Sequence, residues 1–229
     1  SDGFSDQPKS IDLILTDGGI NDVSVMQIVN PDTKPEAISA LVERHCHVGM
    51  RRQLDKLTTK FPNAQIVVTG YYPIVSRASD ITLLKALLIA FGLSTRGLVG
   101  AATGAVIAEE VKRRVVANCR LFADQANSKL RAAVDETNAA RGGTARVFFA
   151  PPRFGEKNAA LAPENWLWGV NADSSPQDNL VAGVRLRHCK ANKTRSDLLW
   201  CSRASAGHPN PRGAQEYARA ITAALGVGR

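Results

Sequence analysis

An amide and an imidazole near the two ends of the chain are the side chains whose types and settings best suit chemistry. Asn21 follows paired glycines in Asp12 to Val23, DLILTDGGINDV. His208 lies in Ala206 to Gly213, AGHPNPRG, directly before AQEYARAITAAL. A side-chain amide at such a turn can donate to an oxyanion. Imidazole is the side chain that takes up and releases a proton near neutral pH. Each residue also has a purely structural reading. Asn21 and Asp22 can make local turn bonds, and His208 can cap the helix that follows it.

The elements around these residues set where they stand. Leu13-Ile14-Leu15 is a short apolar run that stops in turn residues, which predicts a buried strand over Ile11–Leu15. Gly18 and Gly19 let the chain turn sharply after it, and Asn21 then falls at a strand's carboxyl end, where open α/β sheets bind ligands. Val23–Val29 reads as a short helical piece. Pro35–Phe61 reads as a helix, with Ile38, Leu41, Val42, Met50, Leu54 and Leu57 on its apolar side and Pro62-Asn63 ending it. Gln65–Thr69 is the next strand, which makes a βαβ unit with a right-handed crossover. Within the helix, His45-Cys46-His47 has the residue types of a metal site, but adjacent helical residues point in different directions. They read as surface histidines flanking a core thiol.

Ser79 to Gly104 is apolar and contains glycine, and reads as an insertion, either a helix hairpin in the core or a flap shaping an acyl pocket. Ala105–Ala140 is a long helical pattern, closed by Arg141-Gly142-Gly143. Arg146–Ala150 is a strand stopped by Pro151-Pro152, and Pro211–Leu225 is the last helix. Between them Phe154 to Cys201 is loop-rich and carries Trp166, Trp168 and Trp200, which can pack as lids or stack on a sugar or acyl group. No repeat or low-complexity segment interrupts residues 1–229, so one domain is expected.

Composition fits that expectation. The 229 residues are 44% hydrophobic and 22% charged, the balance of a globular domain with a substantial core. No apolar run reaches the roughly 18–20 residues of a membrane span. The net charge of +8 is scattered and not interleaved with aromatics, which are 6% of the chain, so nucleic acid is not the expected partner. None of Cys46, Cys119, Cys189 and Cys201 forms a CxxC pair. Cys189 and Cys201 bracket a polar loop that a disulfide can close, and that loop holds the sequon Asn192-Lys193-Thr194. Unpaired thiols are the alternative.

Gly19-Ile20-Asn21-Asp22, His208-Pro209-Asn210 with Gly213 and Tyr217, and the strand and turn Ile66 to Pro73 occur in one order along the chain. In that order, and at those strand and helix ends, the chain resembles the SGNH (GDSL-type) hydrolase family. The resemblance spans nearly the whole chain. It implies a three-layer α/β/α sandwich with a mainly parallel sheet and flavodoxin-like topology. It also implies a lipase- or esterase-like serine ester hydrolase without cofactor or metal. Under it His208 is the general base, Asn21 an oxyanion donor, Gly19 the point of close backbone approach and Asp22 a brace for the turn. Family members are often secreted, which suits a Cys189–Cys201 bridge and an extracellular setting.

Two departures stand out. The family's Gly-Asp-Ser block and its second glycine block have no match; Ser1-Asp2-Gly3 has the residue types in another order. Ser5 and Ser24 lack the strand-to-helix elbow of a nucleophile. Under the resemblance, the chain is therefore expected to lack the family's first strand, its nucleophile and its second strand; these are either cut away by processing and still bound as a separate amino-terminal segment, carried on another chain, or absent. The second departure is Ser205, which stands where the family carries an Asp three residues before the His. A main-chain carbonyl at Ser205, or a carboxylate from Asp173, Asp178 or Asp197, would then orient the ring. The expected substrate is a small-molecule, lipid or acyl-glycan ester. The rival is a non-catalytic domain of the same fold that binds acyl or carbohydrate ligands.

Overall fold

The computed structural model describes residues 8–90, 93, 104–142, 146–168, 184, 187–191 and 207–227. Three short strands, β1 (Leu13–Thr16), β2 (Gln65–Thr69) and β3 (Val147–Ala150), form one parallel sheet in that order. Leu15 stands beside Val67, and Val67 beside Phe148. β2 has the expected bounds, whereas β1 begins later and takes in Thr16.

Helices fill the crossovers. After β1 come α1 (Ile20–Val23), α2 (Val25–Val29), α3 (Pro35–Val42), a π-helical segment (Glu43–Gly49) and α4 (Met50–Lys60). α5 (Ile81–Ala90) and α6 (Gly104–Ala140) lie between β2 and β3, and α7 (Pro211–Leu225) follows β3. One face of the sheet, with Ile14, Ile66, Val68, Val147 and Phe149, joins the core under these crossover helices. α7 packs on β2 and β3. On its face Val67 and Ala150 are buried, while Leu13 and Leu15 of β1 are 44% and 53% exposed.

The π segment explains a spacing that a plain α-helix cannot. Ile38, Val42, Cys46, Met50 and Leu54 recur every fourth residue, and all are buried. At about 100° per residue, such a series drifts by about 40° a step, so Ile38 and Leu54 would lie roughly 160° apart. The wider i→i+5 turns of Glu43–Gly49 advance less per residue and bring the series back to one side. α6 needs no such correction. Val115, Cys119, Phe122, Ala126, Leu130 and Ala133 alternate steps of four and three, and all are buried.

The expected insertion over Ser79–Gly104 is in part α5, with Leu84 and Leu88 in the core. Most of its remainder lies outside the described residues. No helix among the described residues is long and apolar enough to cross a membrane.

Candidate functional site

At the carboxyl end of the sheet lies a cavity of about 350 Å³. Asn21 and His208 both line it, together with Asp17, Tyr71, Tyr72 and Tyr217. Its remaining wall is largely apolar, with Val25, Val29, Ile74, Leu161 and Trp168 among the residues that form it. Leu161 takes a positive φ of 63° at this wall, a backbone state that costs a non-glycine residue about 1–3 kcal/mol.

The Asn21 half is a turn held from below. Gly19 has φ 117°, a region in which side chains are disfavoured, and a β-carbon there would run into the Cys46 sulfur. Cys46 reaches that spot from the π segment and is fully buried. Burial, reinforced by the Asp22 charge, pushes its thiol up to about 12, so it packs here as a neutral group. Val23 N–H donates to Gly19 O at 2.7 Å, and Ile20 N–H donates to the Tyr71 hydroxyl at 3.2 Å. Asn21 and Asp22 are exposed. Among the described residues Tyr71, more than the expected Asp22, braces this turn.

The His208 half is a loop pinned on both sides. Trp168 N–H donates to His208 O at 2.8 Å, and Gly207 N–H donates to Trp168 O at 2.9 Å. The Tyr72 hydroxyl donates to Gly207 O at 2.8 Å. The motif residues after the histidine are accounted for by structure. Asn210 caps α7 by accepting from the N–H groups of Arg212 and Gly213, with Pro211 in the first turn. Gly213 is buried against Trp166 O, where a side chain would collide. The Tyr217 hydroxyl donates to Gly70 O at 2.8 Å.

Tyr71 and Tyr72 are thus neighbours in sequence that each hold one half of the site. They follow β2, and Asn127 of α6 fixes their stem by accepting from Tyr71 N–H at 2.7 Å and donating to Tyr71 O at 3.0 Å. Tyr72 stacks on Phe154 with ring centroids 4.4 Å apart and meets Tyr217 edge-on. Burial raises all three tyrosine hydroxyls well above their ordinary pKa, and the Asp17 charge adds to the effect. They stay protonated and act as fixed dipoles. The doubled tyrosine at a strand's carboxyl end was the available sequence signal for them; Asp17 carried none beyond its place after β1.

Arranged this way, the described residues offer an amide, an imidazole and an apolar wall around one space. No serine lines the cavity among them, and Thr69 is its one aliphatic hydroxyl. Ser24 lies between α1 and α2, partly buried, and is not a lining residue. Ser5, Ser205, Asp173, Asp178, Asp197, Trp200, Cys201 and the Asn192–Thr194 sequon lie outside the described residues. Cys46 and Cys119 are free and buried. His45-Cys46-His47 divides as the helix geometry demands. Cys46 points into the core, while His47 bonds Glu43 at 2.8 Å and Glu136 at 2.9 Å.

Comparison with family models, with curated proteins and with solved structures finds no match in any of the three.

Proposed function

We propose that the protein is a carboxylic-ester hydrolase of SGNH type that works through a serine acyl-enzyme. The observation that supports this is the convergence of Asn21 and His208 on one cavity at the carboxyl end of a parallel sheet. The apolar wall suits an acyl group beside the reacting carbon. In this mechanism His208 takes the proton of the serine hydroxyl as its oxygen bonds to the ester carbon. The Asn21 amide donates to the oxyanion that forms. Collapse of that intermediate breaks the ester C–O bond, and His208 returns the proton to the leaving alcohol. Water, deprotonated by the same imidazole, then releases the acid and restores the serine.

The serine is carried by a segment other than the described residues. The Cys189–Cys201 bridge and secretion belong to the same proposal. The free, buried Cys46 and Cys119 are compatible with that bridge.

A second reading keeps the cavity and drops the turnover: an acyl- or carbohydrate-binding domain. The absence of a serine among the described lining residues favours it. A fluorophosphonate probe applied to the protein isolated natively from its source decides between them. A modified serine, on this polypeptide or on one that accompanies it, means an esterase; no modification means a binding domain. In the esterase case, His208→Ala should lower nitrophenyl-ester turnover by about 10³-fold or more. Unchanged turnover in that variant removes His208 from the mechanism.

A further inference from the structure

We propose that the cavity takes an alkylated ammonium group between Asp17 and the aromatic rings of its wall, so that the substrate is an ester of an amino alcohol of the choline type. The proposal rests on the esterase reading only for placing that group on the alcohol of an ester.

Charge is the first support. Asp17 is the one carboxylate that lines the cavity among the described residues, and no Lys or Arg lines it there. Nor does any described Lys or Arg form an ion pair with Asp17. Asp22, at the far end of the same turn, is exposed and adds a second negative charge nearby. The chain as a whole carries a net charge of +8. The cavity thus opposes the sign of the molecule that holds it. A cleft lined by one sign of charge draws in the other and repels its own.

The aromatic lining is the second. Tyr71, Tyr72, Tyr217 and Trp168 share the cavity with Asp17. The Asp17 charge raises the pKa of all three tyrosines, so its carboxylate lies within electrostatic reach of the whole set. Their hydroxyls are committed to the main chain. Those of Tyr72 and Tyr217 donate to Gly207 O and Gly70 O, and that of Tyr71 accepts from Ile20 N–H. The rings are held in place, and Asp17 is left as the chief acceptor. A primary ammonium carries three donors to satisfy. An alkylated one carries fewer or none, and is held by ring faces and a carboxylate.

The reaction supplies the third. Asn21 and Asp17 line one cavity, so the oxyanion forms in the field of a carboxylate. Like charges in a largely apolar space oppose each other. The imidazolium formed at His208 offsets one of the two negative charges, and a cation on the substrate offsets the other. A neutral ester leaves that second charge uncompensated. The aliphatic wall of Val25, Val29, Ile74 and Leu161 suits the acyl chain, which leaves the cation to the alcohol.

The test uses choline butyrate and its neutral isostere, in which carbon replaces the quaternary nitrogen, so that the two esters differ in charge alone. They are compared as substrates of the protein isolated natively from its source, with Asp17→Asn and Asp17→Glu introduced there. The choline ester should exceed the isostere in kcat/KM by about tenfold or more. Asp17→Asn should bring that ratio toward one, chiefly through the KM of the choline ester, and Asp17→Glu should keep it. A ratio near one in the unaltered protein overturns the proposal. So does an equal fall for both esters in Asp17→Asn, which would make Asp17 a positioning partner of His208 instead. Binding is read separately, by calorimetry of tetramethylammonium with the 229-residue chain and its Asp17→Asn variant. Tetramethylammonium that binds and is lost with Asp17, without turnover of either ester, sinks the esterase reading alone. Equal turnover of both esters, with no tetramethylammonium bound, sinks the cation site alone.

Discussion

Gly19 carries two constraints at once, a φ of 117° and the Cys46 sulfur lying where a β-carbon would go. Gly19→Ala should therefore destabilise the fold by about 2 kcal/mol or more, read as a fall in the urea midpoint. Cys46→Ala in the same chain should return part of that loss, because it removes the collision but not the backbone strain. Tyr72→Phe tests the other half of the site. It deletes one hydrogen bond, to Gly207 O, and leaves the stacking on Phe154. The expected cost is about 1 kcal/mol of stability; under the proposed esterase reading, ester turnover should also fall by more than any change in KM, because the loop before His208 loses its anchor. At this scale the sequence was informative where residue type is restrictive. Paired glycines, an Asn-Asp pair and a His before a helix all signal backbone geometry. The tyrosines could be picked out in the sequence but their partners could not, because a hydroxyl's partner is fixed by the packing of distant segments.

The π segment carries an ion-pair group at the level of elements. His47 joins Glu43 and Glu136, and Lys129 joins Glu43, so the segment is tied to α6. Hydrogen bonding to Glu43 and Glu136 raises the His47 pKa. Bonds from Lys129 and His47 lower that of Glu43. A raised imidazole contributes stability in full below its unfolded value of about 6.5 and loses it as pH rises through the folded value. A lowered carboxylate contributes above its unfolded value of about 4.3 and fades as pH falls through the folded one. The group thus stabilises most between these two titrations. His47→Gln should lower the urea midpoint at pH 5.5, as about a mid-window value, and its deficit should shrink as pH rises past the folded imidazole pKa. A deficit that does not vary with pH would mean packing alone. Element type and most bounds were legible in the sequence, since a periodic apolar face survives local detail. The wider turns in Glu43–Gly49 were not. A series with every fourth residue apolar reads as an ordinary α-helix until the drift is added up.

For the molecule as a whole, the cysteines provide a count that can be checked. Alkylation of the unfolded, unreduced protein should modify two cysteines, Cys46 and Cys119, and reduction should raise the number to four if Cys189 and Cys201 are bridged. Four before reduction would remove the bridge. The α/β class and the parallel sheet could be read from the alternation of strands and helices. The lopsided cover of that sheet could not. Leu13 and Leu15 look like core residues in sequence, and only the reach of α7 decides that they are half in water.

The broadened stretch of helix also marks where this protein can vary in length. Removing one residue from within Glu43–Gly49 would let the chain relax to ordinary α-helical hydrogen bonding. Because the wider turns already absorb about one residue's advance, Met50 and Leu54 would then keep nearly their present side, whereas the same deletion within α3 or α4 would swing the residues beyond it by about 100°. A single residue lost there would do less harm than one lost from the regular turns on either side. The π turns thus give the helix one residue of slack directly beneath the Gly19 turn, where Cys46 packs.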